Sequence, residues 1–284
     1  MHSTNGEDFM QTVSNPIAIP SRGRPRAAAD HSARPTGGRA LPQLSLGGIL
    51  AVWAAAALPM GVLSWVVGPL IADQLSGPGS LARGLIIALT AGLVWQFALV
   101  MFLVRREQGS LRWPVLKDAL WLRSPRSPRT GRRGGKMWLV VPLFILVVAV
   151  EQLVPGPALP ASRDLGEFLN STVGESFIAG AWGWFALLVT MFAFNTVLGE
   201  ELLFRGYLLP RMNGQFGDRD WLANGVIFAV YHLHVPWMIP VILLDSLALA
   251  YPAKRYRSAL VAMAVHSLQS VVFTALLLSL VLKG

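Results

Sequence analysis

Long apolar runs alternate with short polar segments along this chain. A helical membrane span needs about 20 largely apolar residues. Two of the runs, at residues 221–234 and 237–251, are short for a span. Pro236 separates them and Pro240 lies inside the second, and such short, broken helices indicate an internal cavity at membrane depth. The candidate spans lie at residues 44–72, 84–104, 137–154, 177–199 with a helical continuation to 208, 221–234, 237–251 and 258–282. The pattern predicts an all-α fold, a polytopic transmembrane helical bundle of about seven to eight spans.

The segment before the first span has a different character. Residues 1–43 are rich in Ser, Pro, Gly and Arg and contain no apolar stretch. Such a composition cannot bury enough apolar surface to fold. We therefore expect two regions: a disordered basic cytoplasmic tail over residues 1–43, and a transmembrane domain over residues 44–284.

Composition supports a protein dissolved in the bilayer. The 284 residues are 54% hydrophobic and only 14% charged, with a mean hydropathy of +0.52, which is too apolar for an ordinary soluble domain. The net charge of +9 is carried in the gaps between spans, so we expect contact with anionic lipid and no nucleic acid partner. Because cysteine is absent, a disulfide framework and a thiolate nucleophile are both excluded.

The distribution of basic residues predicts the orientation. Residues 105–136 carry ten Lys and Arg residues against two acids, and cytoplasmic loops are the ones enriched in these cations. Alternation then places the loop containing Arg163 and Glu175 outside, and the basic residues at 205–219 and 254–257 inside. The chain is expected to be an integral membrane protein, in the plasma (inner) membrane, with its site opening to the cytoplasm.

Four ionisable positions in or next to the predicted spans stand out: Glu200, Glu201, His232 and His266. Each costs roughly 2.5 to 3.5 kcal/mol on insertion scales and is therefore a candidate functional residue. At 1.5 Å of rise per residue, Glu200 and His266 lie about 12 Å below the cytoplasmic face and His232 about 16 Å below it. Three spans thus place ionisable groups at one level, which predicts a shared site.

Helical spacing separates the roles of the two glutamates. Glu201 and Arg205 are four residues apart with the acid first, the favourable order for an ion pair. Glu200 points about 100° away and has no local cation, so it is the better candidate for a base. The alternative is that both glutamates and Arg205 form one structural ion cluster.

The histidines extend this site to two further helices. His232 shares a helix face with Phe228, whereas His234 turns to roughly the opposite side, so we expect only one of the two histidines in the site. His266 and Ser270 form a polar stripe on the last span.

These groups are sufficient for amide hydrolysis. A carboxylate beside an imidazole can take a proton from water, and a second imidazole, with Ser270, can stabilise the oxyanion. A His and Glu cluster can also hold Zn²⁺, but the chain lacks a His-Glu-x-x-His helix, so we favour a site with no metal and no cofactor.

The motifs Glu200-Glu201-x-x-x-Arg205, Phe228-x-x-x-His232 and the later His266 resemble those of the CPBP family, the CAAX prenyl endopeptidases and bacteriocin-processing proteins also called Abi. The resemblance implies an intramembrane glutamic endopeptidase acting on a membrane-associated, CAAX-type protein or peptide.

It also implies that Glu200 activates water with support from His232, Glu201 and Arg205, and that His266 lies in the oxyanion site. The family's third motif is His-x-x-x-Asn or Asp, and here Ser270 takes the last position, which predicts weaker oxyanion stabilisation.

Two other classes of function share these features. A non-catalytic membrane scaffold or bacteriocin-immunity-type protein would bind a partner in the same pocket without chemistry. A proton-coupled transporter would also use buried Glu and His, but it would need a comparable set reached from the external side. The retention of four costly groups at one depth favours the enzyme.

We predict that the loop at residues 105–136 faces the cytoplasm, because its excess of Lys and Arg is the largest in the chain. A Ser127→Cys variant carries a single thiol and should resist an impermeant thiol reagent in intact cells but react after permeabilisation. Labelling from outside intact cells would contradict the topology.

Overall fold

A computed structural model describes residues 41–151, 163 and 165–284. Almost all of the predicted N-terminal tail lies outside these residues, as do the end of the predicted span at 137–154 and Asp164 of the predicted external loop. The boundary between tail and membrane domain therefore stays a prediction.

The described residues fold as helices joined by turns, and no β-strand occurs among them apart from an isolated bridge between Arg126 and Arg133. Because a bilayer offers the backbone no water, long apolar segments form helices, in which most backbone N–H and C=O groups bond to each other. The α-helices are α1 (Leu46–Val62), α2 (Gly68–Ala72), α3 (Ser80–Gln108), α4 (Trp113–Ala119), α5 (Val140–Glu151), α6 (Leu165–Asn170), α7 (Thr172–Ile178), α8 (Trp182–Ala193), α9 (Asn213–Phe216), α10 (Asp220–Tyr231), α11 (Ile239–Tyr256) and α12 (Ala259–Val281).

Several of these helices are joined into longer rods by π-helical or 3₁₀ segments. The π-helical segments are Leu63–Val67, Phe194–Gly199 and Leu202–Leu208; the 3₁₀ segments are Gly135–Leu139, Leu209–Arg211, Gly217–Arg219 and Pro236–Met238. Among the described residues, five rods are long and apolar enough to cross a membrane: Leu46–Ala72, Ser80–Gln108, Trp182–Arg211, Pro236–Tyr256 and Ala259–Val281. The predicted all-α polytopic bundle is confirmed.

The two remaining predicted spans are shorter helices. The run at 137–154 is the apolar helix Gly135–Ala149, and the run at 221–234 is α10, which has 12 residues and ends at Tyr231. Because α10 rises only about 18 Å, it ends inside the bundle, and the chain turns there before α11. The end of this short helix carries His232.

Two basic loops meet at one end of the bundle. The backbone N–H of Arg126 donates to the carbonyl of Tyr256 at 2.8 Å, which joins the loop after α4 to the end of α11. Burial and the repulsion of Arg123 and Arg126 lower the pKa of Arg133 in this crowded loop. The predicted grouping of residues 105–136 and 254–257 on one side is thus supported by direct contact between them.

A buried arginine fixes the same end of the bundle. Arg211 is fully buried, and its guanidinium donates to both carboxylate oxygens of Glu107, at 2.7 and 2.8 Å. It also donates to the carbonyls of Ala119 and Tyr207, at 3.0 and 2.8 Å. A bidentate Arg–carboxylate pair fixes the relative orientation of its two side chains, so this pair holds the end of α3 against the rod that begins with α8.

The turn after α10 is held by the first rod. The indole N–H of Trp65 donates to the carbonyl of Leu233 at 2.8 Å, and the Ser64 hydroxyl donates to the carbonyl of His234 at 3.4 Å. These bonds satisfy backbone groups that no helix serves at membrane depth. They also fix the position of His232, one residue before this turn.

Candidate functional site

The rod containing both glutamates is irregular where the site forms. α8 passes into the π-helical segment Phe194–Gly199, and a second π-helical segment begins at Leu202. A Cβ atom at Gly199 would lie 2.7 Å from the Phe194 carbonyl oxygen and 3.2 Å from that of Leu93 on α3. Only glycine permits this close approach, so the rod can press against α3 directly before Glu200.

Glu201 lies between two cationic or potentially cationic groups. Its Oε1 accepts a hydrogen bond from Nη1 of Arg205 at 3.0 Å and contacts Nδ1 of His266 at 3.1 Å. Glu201 and Arg205 are both fully buried. Because a buried carboxylate without a partner is very costly, this pair is expected to be essential for folding.

Arg205 also ties two other helices to the cluster. Its Nη2 donates to the carbonyl of Ser246 on α11 at 3.1 Å, and its guanidinium lies over the ring of Phe228 on α10, 4.0 Å from the ring centre. An arginine held on so many sides is a positioning residue rather than a group that is free to contact a substrate.

Glu200 has different surroundings from those of its neighbour. It is 2% exposed, and its Oε1 lies 4.0 Å from Nε2 of His232, too far for a direct hydrogen bond. The hydroxyl of Tyr231 lies near the Glu200 carboxyl and accepts a hydrogen bond from Gln96 on α3. The predicted separation of the two glutamates into a paired and an unpaired member agrees with these contacts.

His232 is oriented by its own helix. Its Nδ1 lies 2.9 Å from the carbonyl oxygen of Phe228. A carbonyl only accepts hydrogen bonds, so Nδ1 carries the hydrogen and Nε2 presents a lone pair toward Glu200. The T-shaped contact with the Phe228 ring, at 4.9 Å between ring centres, fixes the imidazole plane.

One cavity of about 460 Å³ collects three of the predicted site residues. Glu200, His232 and His266 all line it, each from a different helix or its end. The remaining wall is mostly apolar and comes from α5, α11 and α12, including Ile145, Val148, Val241, Ile242, Val272 and Phe273. A cavity of this size with a few convergent polar groups is typical of a ligand site.

The other predicted residues do not line the cavity. Glu201 and Arg205 lie behind it, and Ser270 is turned to the neighbouring rod, with its hydroxyl 3.3 Å from Oγ1 of Thr196. His234 lines a separate cavity of about 300 Å³ together with Arg163. The expectation that His234 turns to roughly the opposite side is wrong: the two ring centres are 5.2 Å apart, because α10 ends at Tyr231 and regular helical spacing no longer applies.

Sequence reasoning missed two polar residues in the cavity wall, Asn195 and Asp245. Asp245 is an acid within a predicted span, so the rule that singled out the glutamates could have found it. Its Oδ1 is buried and without a hydrogen-bond partner among the described residues. Asn195 gave no such signal, because only the π-helical segment turns it toward Glu200.

Fold and site together define a helical membrane protein with a buried Glu and His centre facing an apolar cavity. Residues 182–272, about a third of the chain, match the family described as type II CAAX prenyl endopeptidase, Rce1-like. The resemblance drawn from the motifs is thereby confirmed, and the matched segment is of the protease type. It contains every predicted site residue from Glu200 to Ser270. No curated protein and no solved structure matches the chain in the corresponding comparisons.

We predict that Glu201→Gln destabilises the protein by about 3 to 5 kcal/mol, because it leaves the buried Arg205 without its counter-charge. The double variant Glu201→Gln with Arg205→Met should recover most of this loss, since removing both partners avoids an unpaired buried charge. Thermal melts of the purified variants in detergent measure both effects.

The matched control is Glu175→Gln, the same chemical change at an exposed position on α7, which should leave the melting temperature unchanged. Equal melting temperatures for Glu201→Gln and the wild-type protein would show that the pair does not hold the bundle together.

Proposed function

We propose that this protein is an intramembrane endopeptidase that hydrolyses a peptide bond of a membrane-associated protein or peptide with water activated by Glu200. The observation that carries the proposal is the shared cavity, in which three helices present Glu200, His232 and His266 to one otherwise apolar space. A purely structural ion cluster would have no reason to place these three groups around a cavity.

The proposed reaction begins with a water molecule between Glu200 and His232. The 4.0 Å separation of Oε1 and Nε2 is longer than a direct hydrogen bond, and both atoms accept hydrogen bonds from water. Glu200 takes one proton from the water, and the oxygen bonds to the carbonyl carbon of the substrate. The resulting tetrahedral intermediate carries its negative charge on the former carbonyl oxygen.

The intermediate then collapses to products. The proton held by Glu200 passes to the leaving nitrogen, the bond between carbon and nitrogen breaks, and the carbonyl reforms as a carboxylic acid. Glu200 returns to its starting state, so no covalent bond to the enzyme is required. Glu201 and Arg205 do not touch the reacting atoms and act by holding His266 and the helices in place.

The apolar wall supports a substrate that carries lipid or an apolar segment. Its aliphatic and aromatic side chains from α5, α11 and α12 suit a prenyl group or an aliphatic peptide better than a polar chain. We infer a CAAX-type substrate in the plasma membrane, reached from the cytoplasmic side. The contact between the two basic loops supports this orientation, because both then face the anionic leaflet.

One observation favours a second candidate function. The Ser270 hydroxyl, at the position where the family carries an oxyanion donor, contacts Thr196 and does not line the cavity. A membrane scaffold or bacteriocin-immunity-type protein would bind its partner in this cavity without needing that donor. Catalysis by the intact protein distinguishes the two functions.

We predict that Glu200→Gln abolishes hydrolysis and leaves the melting temperature within a few degrees of wild type. The amide keeps the shape of the side chain but cannot accept a proton from water. Proteomics of membrane fractions should show a substrate that accumulates uncut in the Glu200→Gln strain.

Glu175→Gln, at the exposed position on α7, is the matched control and should process the substrate normally. If the Glu200→Gln strain cleaves every protein that the wild-type strain cleaves, the scaffold function replaces the enzyme.

We predict that hydrolysis continues in the presence of a metal chelator. Within the described part of the chain, no group of three or more His, Asp or Glu side chains is arranged to hold a metal ion. The assay compares initial rates before and after treatment with a strong chelator of divalent cations. Loss of activity that Zn²⁺ restores would identify a metalloprotease and overturn the glutamate mechanism.

A further inference from the structure

The two histidines of the site present acceptors to the cavity. The Nδ1 hydrogen of His232 is directed at the Phe228 carbonyl, and the Nδ1 atom of His266 lies 3.1 Å from the Glu201 carboxylate. A carbonyl and a carboxylate only accept, so both rings carry a hydrogen on Nδ1. In the neutral state each Nε2 therefore offers a lone pair. His266 can donate to an oxyanion only when it is also protonated on Nε2.

Other donors that the sequence offers are directed elsewhere. The Ser270 hydroxyl contacts Oγ1 of Thr196 at 3.3 Å, and Tyr231, whose hydroxyl accepts from Gln96, does not line the cavity. The guanidinium of Arg205 is bound by Glu201 and by the Ser246 carbonyl. The site as built is thus rich in bases and short of a neutral donor for the negative charge that amide hydrolysis creates.

We propose that the side-chain amide of Asn195 is the oxyanion donor of this site, taking the role that the family motif assigns to the position of Ser270. The inference rests on the proposed function. Asn195 lines the same cavity as Glu200, His232 and His266. It is half-buried, and its side chain forms no hydrogen bond with any described residue, so both N–H groups are free for a substrate.

The π-helical segment is what brings Asn195 to the reacting face. In an α-helix, residues five apart point about 140° away from each other. A π-turn bonds residue i to residue i+5, so positions five apart lie one turn apart on the same face. Asn195 precedes Glu200 by five residues: it lies within the π-helical segment Phe194–Gly199, and Glu200 follows this segment directly. The close packing of Gly199 against Leu93 holds this segment in place.

Gln269 is the competing amide in the cavity wall. It is on α12, three residues after His266, and its side chain is exposed, whereas Asn195 is half-buried. An exposed side chain in the middle of a span faces lipid and is not held by neighbouring helices, whereas an oxyanion donor must be preorganised. The more enclosed amide, one turn from the base that activates the water, is therefore the better oxyanion donor.

The test uses the full-length protein in proteoliposomes and a farnesylated, fluorescence-quenched peptide ending in Cys-aliphatic-aliphatic-X as the probe. Asn195→Leu keeps the branching of the side chain and removes the donor. We expect kcat to fall about 100-fold to 1000-fold, the loss typical of a single oxyanion donor, with KM changed less than about threefold. Gln269→Leu, the matched control, should lower kcat by less than about fivefold.

A rescue variant separates chemistry from folding. The double variant Asn195→Leu with Ser270→Asn carries an amide at the position where the family motif has Asn or Asp. Its kcat should be at least tenfold higher than that of Asn195→Leu alone, a recovery that a merely structural defect would not allow. Asn195→Ala, with melting temperatures for each variant, provides a second measurement if the leucine disturbs packing. A kcat near wild type in both Asn195 variants, or a larger loss in Gln269→Leu, would overturn the assignment.

The Glu200→Gln variant distinguishes failure of this inference from failure of the proposed function. Cleavage that depends on Glu200 but not on Asn195 leaves the endopeptidase in place and removes only the amide donor. If wild type and Glu200→Gln cleave the peptide equally, or neither cleaves it, the proposed CAAX-type hydrolysis fails, and the role of Asn195 fails with it.

Discussion

A guanidinium buried among membrane helices must find all of its partners within the protein, because neither lipid nor water can supply them. Arg205 meets this requirement with groups from several helices: the Glu201 carboxylate on its own rod, the Ser246 carbonyl on α11 and the Phe228 ring on α10. Through Glu201 it also reaches His266 on α12. Arg205 therefore fixes the positions of these helices relative to one another, and the geometry of the site depends on these positions.

The same constraint explains why two adjacent glutamates have such different surroundings. Glu201 forms an ion pair with Arg205, whereas Glu200 lines the cavity. There it lies near Tyr231 and near the lone pair of the His232 imidazole, and no cation among the described residues is within ion-pair distance of it. A carboxyl group in that position costs stability.

Irregular backbone also positions residues of the site. α10 stops after 12 residues so that His232 lies at its end, and the turn that follows is held by Trp65 from the first rod. The π-helical segment before Glu200 adds a residue to one turn and redirects Asn195 to the cavity. The turn after α10 leaves carbonyls that no helix serves, and Trp65 and Ser64 of the first rod donate to them.

The sequence by itself determined the bundle and the main members of its centre. Hydropathy and length decide which segments enter a bilayer, so the spans and the basic loops could be predicted without tertiary information. The cost of a charge in a span singled out Glu200 and His266, and a spacing of four residues paired Glu201 with Arg205.

Only the tertiary structure decided which faces look into the cavity. Ser270 shares a regular helix face with His266, yet its hydroxyl contacts Thr196, and Asn195 became a cavity residue through a π-turn that periodicity does not reveal. The Nδ1 contacts of both histidines depend on acceptors supplied by the folded backbone and by another helix. A prediction from residue spacing treats each helix as regular and isolated. The directions of Ser270 and Asn195 and the contacts of the two histidines depend instead on how neighbouring helices bend, pack and satisfy one another's polar groups.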